Sequence, residues 1–325
     1  MRNASSLGPE SHCGRFTDLK DLNGLRGELC IRILGRLGAE QRLSSIAANL
    51  RGKAGLLKLR VMFQIRRLRD NFEDDEAIME GLQPHPDLKE LVIENYGGLR
   101  LPSSMDQLNS ALPNLVDIRL ENCSRCQHLP SFAQLASLRK LSLRNCPGVE
   151  YMESSIGYKS AASPSQSLFF PSLENLSLEH MDNMKGWWEG EERGGGQGSE
   201  IVDQPWQLDA TNSQPLLPSF PKLSYLWISS CPNLTCSPAP LSPYVVQLVL
   251  GEEKMVSMLK GQMATTVDEN SSFSSVSPSF STLPVSNLKT LTIRDLTTLE
   301  SFPRDFFKGL PSLQSLRISG LDQLR

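Results

Sequence analysis

Nowhere does this chain reach the roughly 18 to 20 consecutive apolar residues of a membrane-spanning helix. Its opening residues lack the charged start, apolar run and small-residue cleavage site of a secretory leader, so the expected location is cytoplasmic. Charge of one sign is also missing. Thirty-three Lys and Arg face 36 Asp and Glu, a net charge of −3, which leaves no basic footprint for nucleic acid or an acidic membrane. The only four histidines, His12, His85, His128 and His180, are scattered, and neither G-x-S-x-G nor H-E-x-x-H occurs. No nucleophile, base or zinc ligand set is therefore grouped, and no enzyme is expected.

Seven cysteines make an odd number, which argues against a disulfide framework and for reduced, packed thiols. Cys123-x-x-Cys126 is not followed by a second Cys or His pair at ligand spacing, so no metal is expected. Gly52-Lys53 is the nearest approach to a phosphate loop, but Ala47 stands where the first glycine belongs and Ala54 where Ser or Thr belongs. No cofactor is expected.

What the sequence does contain is a repeat: an apolar residue, two others, an apolar residue, one other, an apolar residue. It occurs at Leu56/Leu59/Val61, Leu88/Leu91/Ile93, Leu115/Ile118/Leu120, Leu138/Leu141/Leu143, Leu173/Leu176/Leu178, Leu223/Leu226/Ile228, Val245/Leu248/Leu250, Leu288/Leu291/Ile293 and Leu313/Leu316/Ile318. Chance would produce roughly four such triplets in a chain this rich in Leu, Ile and Val, so context decides. Pro86, Pro113, Pro171, Pro221 and Pro311 each stand two residues before a first leucine, where a residue without an N–H is expected to enter a strand harmlessly. Cys123, Cys146 and Cys231 each stand eight residues after one. Together these reproduce the L-x-x-L-x-L-x-x-N/C signature of the leucine-rich repeat. The second and third apolar residues are two apart on a short strand and so point into one core. One turn cannot bury its leucines alone, so turns stack. The expected fold is α/β: a leucine-rich-repeat solenoid, or horseshoe, with a concave parallel sheet and an irregular or helical convex side. Cysteine at the end of the motif is expected to pack inside the turn.

Residues 1–18 read as a disordered leader and 19–325 as the repeat domain. First residues of successive copies are 22 to 50 apart, and the excess falls in loop insertions expected near 151–167, 182–219 and 256–284. A weaker, shifted copy gives a strand at Leu29/Ile31. Helices are expected from Ala39 to Leu50, with Leu43, Ile46, Ala47 and Leu50 on the apolar face, and from Asp74 to Leu82, with Ile78, Met79 and Leu82 inward. The acidic pairs Asp74-Asp75 and Glu191-Glu192 read as helix capping and solvated loop, and one ring of Trp187-Trp188 as packed back on the solenoid.

Residues 19–34, 77–96 (Ala-Ile-Met-Glu-Gly-Leu-Gln-Pro-His-Pro-Asp-Leu-Lys-Glu-Leu-Val-Ile-Glu-Asn-Tyr) and 112–130 resemble the repeat region of plant intracellular nucleotide-binding leucine-rich-repeat disease-resistance proteins, coiled-coil class. That resemblance implies a protein-recognition module of innate immunity. Its implied partners are a pathogen effector or modified host protein, and the coiled-coil and nucleotide-binding segment of a receptor. Without a phosphate loop the chain is expected to lack the nucleotide-binding switch, and its abrupt start and its stop at Leu324-Arg325 are expected of a truncated product. The alternatives are a ubiquitin-ligase-type substrate-recognition adaptor and a non-functional remnant.

In this register the concave face carries Arg119, Arg144, Tyr225 and Trp227. Tyr, Trp and Arg combine large contact area with polar handles and dominate protein-binding hot spots, so these four are the expected contact residues.

Overall fold

The computed structural model describes residues 14–34, 45–65, 73–105, 107–153, 170–188, 220–234, 244–251, 287–294 and 310–320. The repeated triplets become strands wherever they fall in these residues. The strands are β1 (Gly27–Ile33), β2 (Leu56–Phe63), β3 (Glu90–Glu94), β4 (Asp117–Glu121), β5 (Lys140–Arg144), β6 (Tyr151–Glu153), β7 (Asn175–Glu179), β8 (Gly186–Trp188), β9 (Tyr225–Ser229), β10 (Gln247–Leu250), β11 (Thr290–Arg294) and β12 (Ser315–Ser319). Ten of them form one parallel sheet in the order β1-β2-β3-β4-β5-β7-β9-β10-β11-β12. No strand of that sheet crosses over another, so each pairs with its neighbour in the chain, as a solenoid requires. The register is unbroken from Leu59↔Leu91 through Leu291↔Leu316, stacking the second apolar residue of every copy in one column and the third in the next. This is a leucine-rich-repeat solenoid.

Each turn is assembled from the same parts. Except at Leu56, which begins β2, the first apolar residue lies not in the strand but in the bend before it, where an N–H closes a β-turn: Leu115 onto the Leu112 carbonyl at 3.2 Å, Leu223 onto that of Phe220 at 3.2 Å. The proline occupies the second position of that turn, as with Pro113 and Pro221, where its fixed φ is an advantage. The expected placement at a strand entrance is corrected accordingly. After the strand, Asn95, Asn122, Asn145, His180 and Ser230 adopt left-handed backbone with φ from 52° to 57°. Asn tolerates this region better than other non-glycine residues because its short polar side chain bonds locally. Asn145 Nδ2 bonds across the solenoid instead, donating to Asn122 Oδ1 at the same corner of the preceding turn at 2.8 Å. Next come Cys123, Cys146 and Cys231, buried, with their thiols donating to carbonyls of the preceding strands (Cys146 to Leu120 at 3.8 Å, Cys231 to Leu178 at 3.7 Å).

Ser230 is the least suited residue at this corner. Replacing Ser230 with Asn is expected to raise stability by about 0.5–1 kcal/mol, read as a higher urea midpoint with an unchanged slope. An unaltered or lower midpoint overturns the reading.

Four features depart from the sequence-based expectations. The last three residues of the expected leader, 16–18, lie in a 3-10 turn (Phe16–Leu19). The segments expected as insertions from 151 and 182 open on strands, because β6 and β8 pair in parallel as a separate two-stranded sheet. Ile46 of the first predicted helix is 66% exposed, whereas Ser45, Ala48 and Leu50 are buried. Asn49, left-handed with φ 47°, breaks the helical phase before Leu50. Asp75 is buried and accepts the Gly97 N–H at 3.1 Å, so it anchors a loop instead of capping its own helix, α1 (Glu73–Gly81). Glu76 and Glu80 act likewise on Leu99 and Ser103. Ile78, Met79 and Leu82 face the core as expected. Trp187 packs edge-on against Phe220 at 5.3 Å, so one ring of the pair does fold back. Residues 39–44, with Leu43, Glu191-Glu192, and most of the three insertions lie outside the described residues.

Candidate protein-binding face

Alternation along each strand turns three residues outward for every two inward, and the parallel register lines these up across the sheet. The middle outward row runs Arg60, Val92, Arg119, Ser142 across β2 to β5 and continues Ser177, Trp227, Val249, Thr292, Arg317 across β7 to β12. All four expected contact residues lie on this open face. Arg119 and Trp227 are in the middle row, Arg144 in the row after it and Tyr225 in the row before it.

The face has two chemically distinct ends. From β1 to β7 it is a lattice of ion pairs. Lys58 Nζ lies 3.5 Å from both Glu28 and Glu90, Arg60 is paired with Glu94, and Arg144 Nε is 3.8 Å from Glu179. Arg119 closes back on its own strand, donating to both oxygens of Asp117 at 3.0 and 2.6 Å. That contact holds its guanidinium above the usual arginine range, with burial acting against it and the charge of Asp117 adding to it. The exposed pairs, those of Lys58 with Glu28 and Glu90, each contribute only about 0.2–1 kcal/mol and orient side chains more than they stabilise the fold, whereas the carboxylates of Glu94 and Asp117 are buried.

At the other end, Tyr225 and Trp227 lie ring to ring at 6.4 Å, and the Arg294 guanidinium sits 5.3 Å over the Trp227 ring. Trp227 is on β9 and Arg294 on β11, so the contact spans the intervening strand. Gly251, which follows β10, packs closely on the end of β9. A Cβ at Gly251 would come within 2.6 Å of Ser229 Oγ and 3.0 Å of the Ser229 backbone. Val249 and Thr292, paired in register beside Trp227, are only 2% and 6% exposed although they point away from the leucine core. Burial, and after it the Glu179 carboxylate, push the Tyr225 phenol up, while Arg294 pulls it down.

The structure thus brings Tyr225 and Trp227 together and sets Arg119 and Arg144 on adjacent strands, with three strand spacings, roughly 14 Å, from β4 to β9. Arg294 and Gly251 are the site residues that the sequence reading passed over. Continuing the third outward row beyond Ser229 leads directly to them.

The other chemistry considered from sequence resolves into structure. Lys53, beside Gly52, is buried and its ammonium donates to the Leu19 and Leu22 carbonyls at 2.7 and 3.2 Å. It closes the first turn of the solenoid, with burial lowering its pKa. Burial pushes the Cys126 thiol up to about 12, so it stays protonated, with its Sγ 3.6 Å from the His128 carbonyl oxygen. Among the described residues no group of three or more His, Cys, Asp or Glu is placed to hold a metal ion, and no helix is long and apolar enough to cross a membrane.

Comparison with known proteins bears on the same residues. Residues 16–146 match the family model described as R13L1/DRL21 LRRs. A Solanum bulbocastanum protein named for disease resistance, RGA1, is 30% identical over 309 residues, which is 95% of this chain and 25% of that protein. RGA4 of the same plant, similarly named, is 35% identical over 180 residues, 54% of this chain and 17% of its own. An RPP13-like protein of Arabidopsis thaliana, also named for disease resistance, is 26% identical over 317 residues, 92% of this chain and 25% of its own. The chain spans a quarter or less of the length of these relatives.

Proposed function

From the premise that this chain is a leucine-rich-repeat array similar to plant disease-resistance proteins along nearly all its length, we propose that it is the protein-recognition module of such a protein. It binds protein surfaces on the open face of its sheet and catalyses no reaction. The observation that carries this reading is the Tyr225–Trp227–Arg294 cluster. Large aromatics and an arginine are held, half-buried, on a solvent-facing sheet where the leucine core has no need of them. The partners proposed are a pathogen effector or a modified host protein, and the coiled-coil and nucleotide-binding segment of a receptor, met in the cytoplasm.

The test is co-precipitation of the purified chain with a separately expressed coiled-coil and nucleotide-binding segment from a receptor of the resembled class. The native chain is expected to capture it. The Arg119→Ala/Arg144→Ala/Tyr225→Ala/Trp227→Ala variant, shown by circular dichroism to be folded, is expected to lose it. Capture that survives the four substitutions moves the interface off this face. A well-folded native chain that captures nothing sinks the receptor-segment reading.

A further inference from the structure

The two ends of the open face differ in how their arginines are satisfied. Arg60, Arg119 and Arg144 are each held by a carboxylate of the same face. Among the described residues, the outward positions of β9 to β12 hold hydroxyls, Gln247, Val249, the two aromatics, Arg294 and Arg317, and no carboxylate. Arg317 is exposed on β12, where Thr292 is its register partner on β11, two positions before Arg294. Arg294 Nε and Trp227 Nε1 are both buried without a hydrogen-bond acceptor. A buried donor left without an acceptor carries a desolvation penalty, which an incoming acceptor group relieves. A guanidinium stacked on an aromatic ring keeps its in-plane donors for a carboxylate, a geometry that an ammonium does not reproduce.

We infer that the β9–β12 end of the open face receives an acidic segment of a protein partner, its side-chain carboxylates seated on Arg294 and Arg317 and its apolar atoms on Tyr225 and Trp227. The inference rests on the recognition reading above and gives it a ligand chemistry: two arginines with no carboxylate partner among the described residues, on a hydroxyl-rich strip, complement an anionic chain. It also assigns the ion-paired β1–β7 end a lesser part, because a partner's carboxylate would have to displace Asp117 or Glu179 there.

The full chain is titrated with a fluorescent Asp/Glu-rich peptide, with its Asn/Gln counterpart and with a Lys-rich peptide of equal length. The acidic peptide is expected to bind best and to weaken with added salt. Arg294→Gln/Arg317→Gln is expected to bind it roughly tenfold more weakly, and Lys20→Gln/Arg51→Gln, which removes two exposed cations outside the sheet, as tightly as the native chain. All four side chains lie outside the leucine core, so both variants are expected to keep the native circular dichroism. Equal binding of the amide or Lys-rich peptide, unchanged binding in the Arg294/Arg317 variant, or no binding of the acidic peptide overturns the inference. Equal weakening by the Lys20/Arg51 variant overturns its placement. If the acidic peptide fails while the native chain still captures the receptor segment, the recognition reading stands and only the acidic preference falls.

Discussion

Glu153→Gln is expected to make this solenoid more stable above neutral pH and to remove a pH dependence that the native chain carries. Glu153, at the end of β6, is 3% exposed and accepts the Ala133 N–H at 2.8 Å. Burial raises its pKa to about 7, against the opposing pull of hydrogen bonds from Ala133, Ser131 and Phe132. The folded value therefore lies above the unfolded value of 4.5. Between the two, the native state holds a proton that the unfolded chain has released, so stability falls as pH rises through this window. The loss amounts to roughly 3 kcal/mol once the carboxylate is forced to ionise in place, at about 1.36 kcal/mol per pKa unit. Glutamine keeps an acceptor for the Ala133 N–H and never ionises. Urea midpoints of the two chains are expected to agree at about pH 4 and to separate in favour of the variant at about pH 8. A native chain whose midpoint is flat across the window, or a variant that keeps the native slope, would falsify the assignment.

The same residue shows why part of this molecule could be read from its sequence and part could not. The inward columns were legible because a strand's two-residue period and the stacking of turns leave leucine at Leu91, Leu141 or Leu176 only one destination. The cysteines were legible for a like reason: the end of the motif turns inside, and Cys123, Cys146 and Cys231 are all buried there. The acids were not. Asp75 and Glu153 look like any solvated carboxylate until the loops at Gly97 and Ala133 are folded against them, and no local period marks that encounter. Proline was recognised as punctuation but put one role too late, because its fixed φ serves a β-turn as readily as a strand entrance. At the open face the outward register puts Arg119, Arg144, Tyr225 and Trp227 on one surface. What it omitted was that Arg119 and Arg144 are already engaged by Asp117 and Glu179. The contact of Arg294 with Trp227 was hidden further, since it crosses a strand.

The largest mechanical effect is expected from a core leucine in the middle of the array. Leu178 on β7 is fully buried, and β7 is paired on one side with β5 and on the other with β9. Leu178→Ala removes its share of both inter-turn contacts and leaves a cavity, a change that costs about 2–5 kcal/mol in well-packed cores. In a solenoid each turn is held chiefly by its two neighbours, so the loss falls on a junction that links both halves of the sheet. Ile31→Ala on the edge strand β1, where the sheet supplies only β2 as a partner and the side chain is 9% exposed, removes contacts to one neighbour alone. Amide hydrogen exchange distinguishes the two. The Leu178 variant is expected to lose protection in β5, β7 and β9 together, with a lower urea midpoint. The Ile31 variant is expected to lose it in β1 and β2 while β5 to β9 stay as in the native chain. If both variants lose protection uniformly over all ten strands, the molecule unfolds as one cooperative block, and the nearest-neighbour account of its stability is wrong.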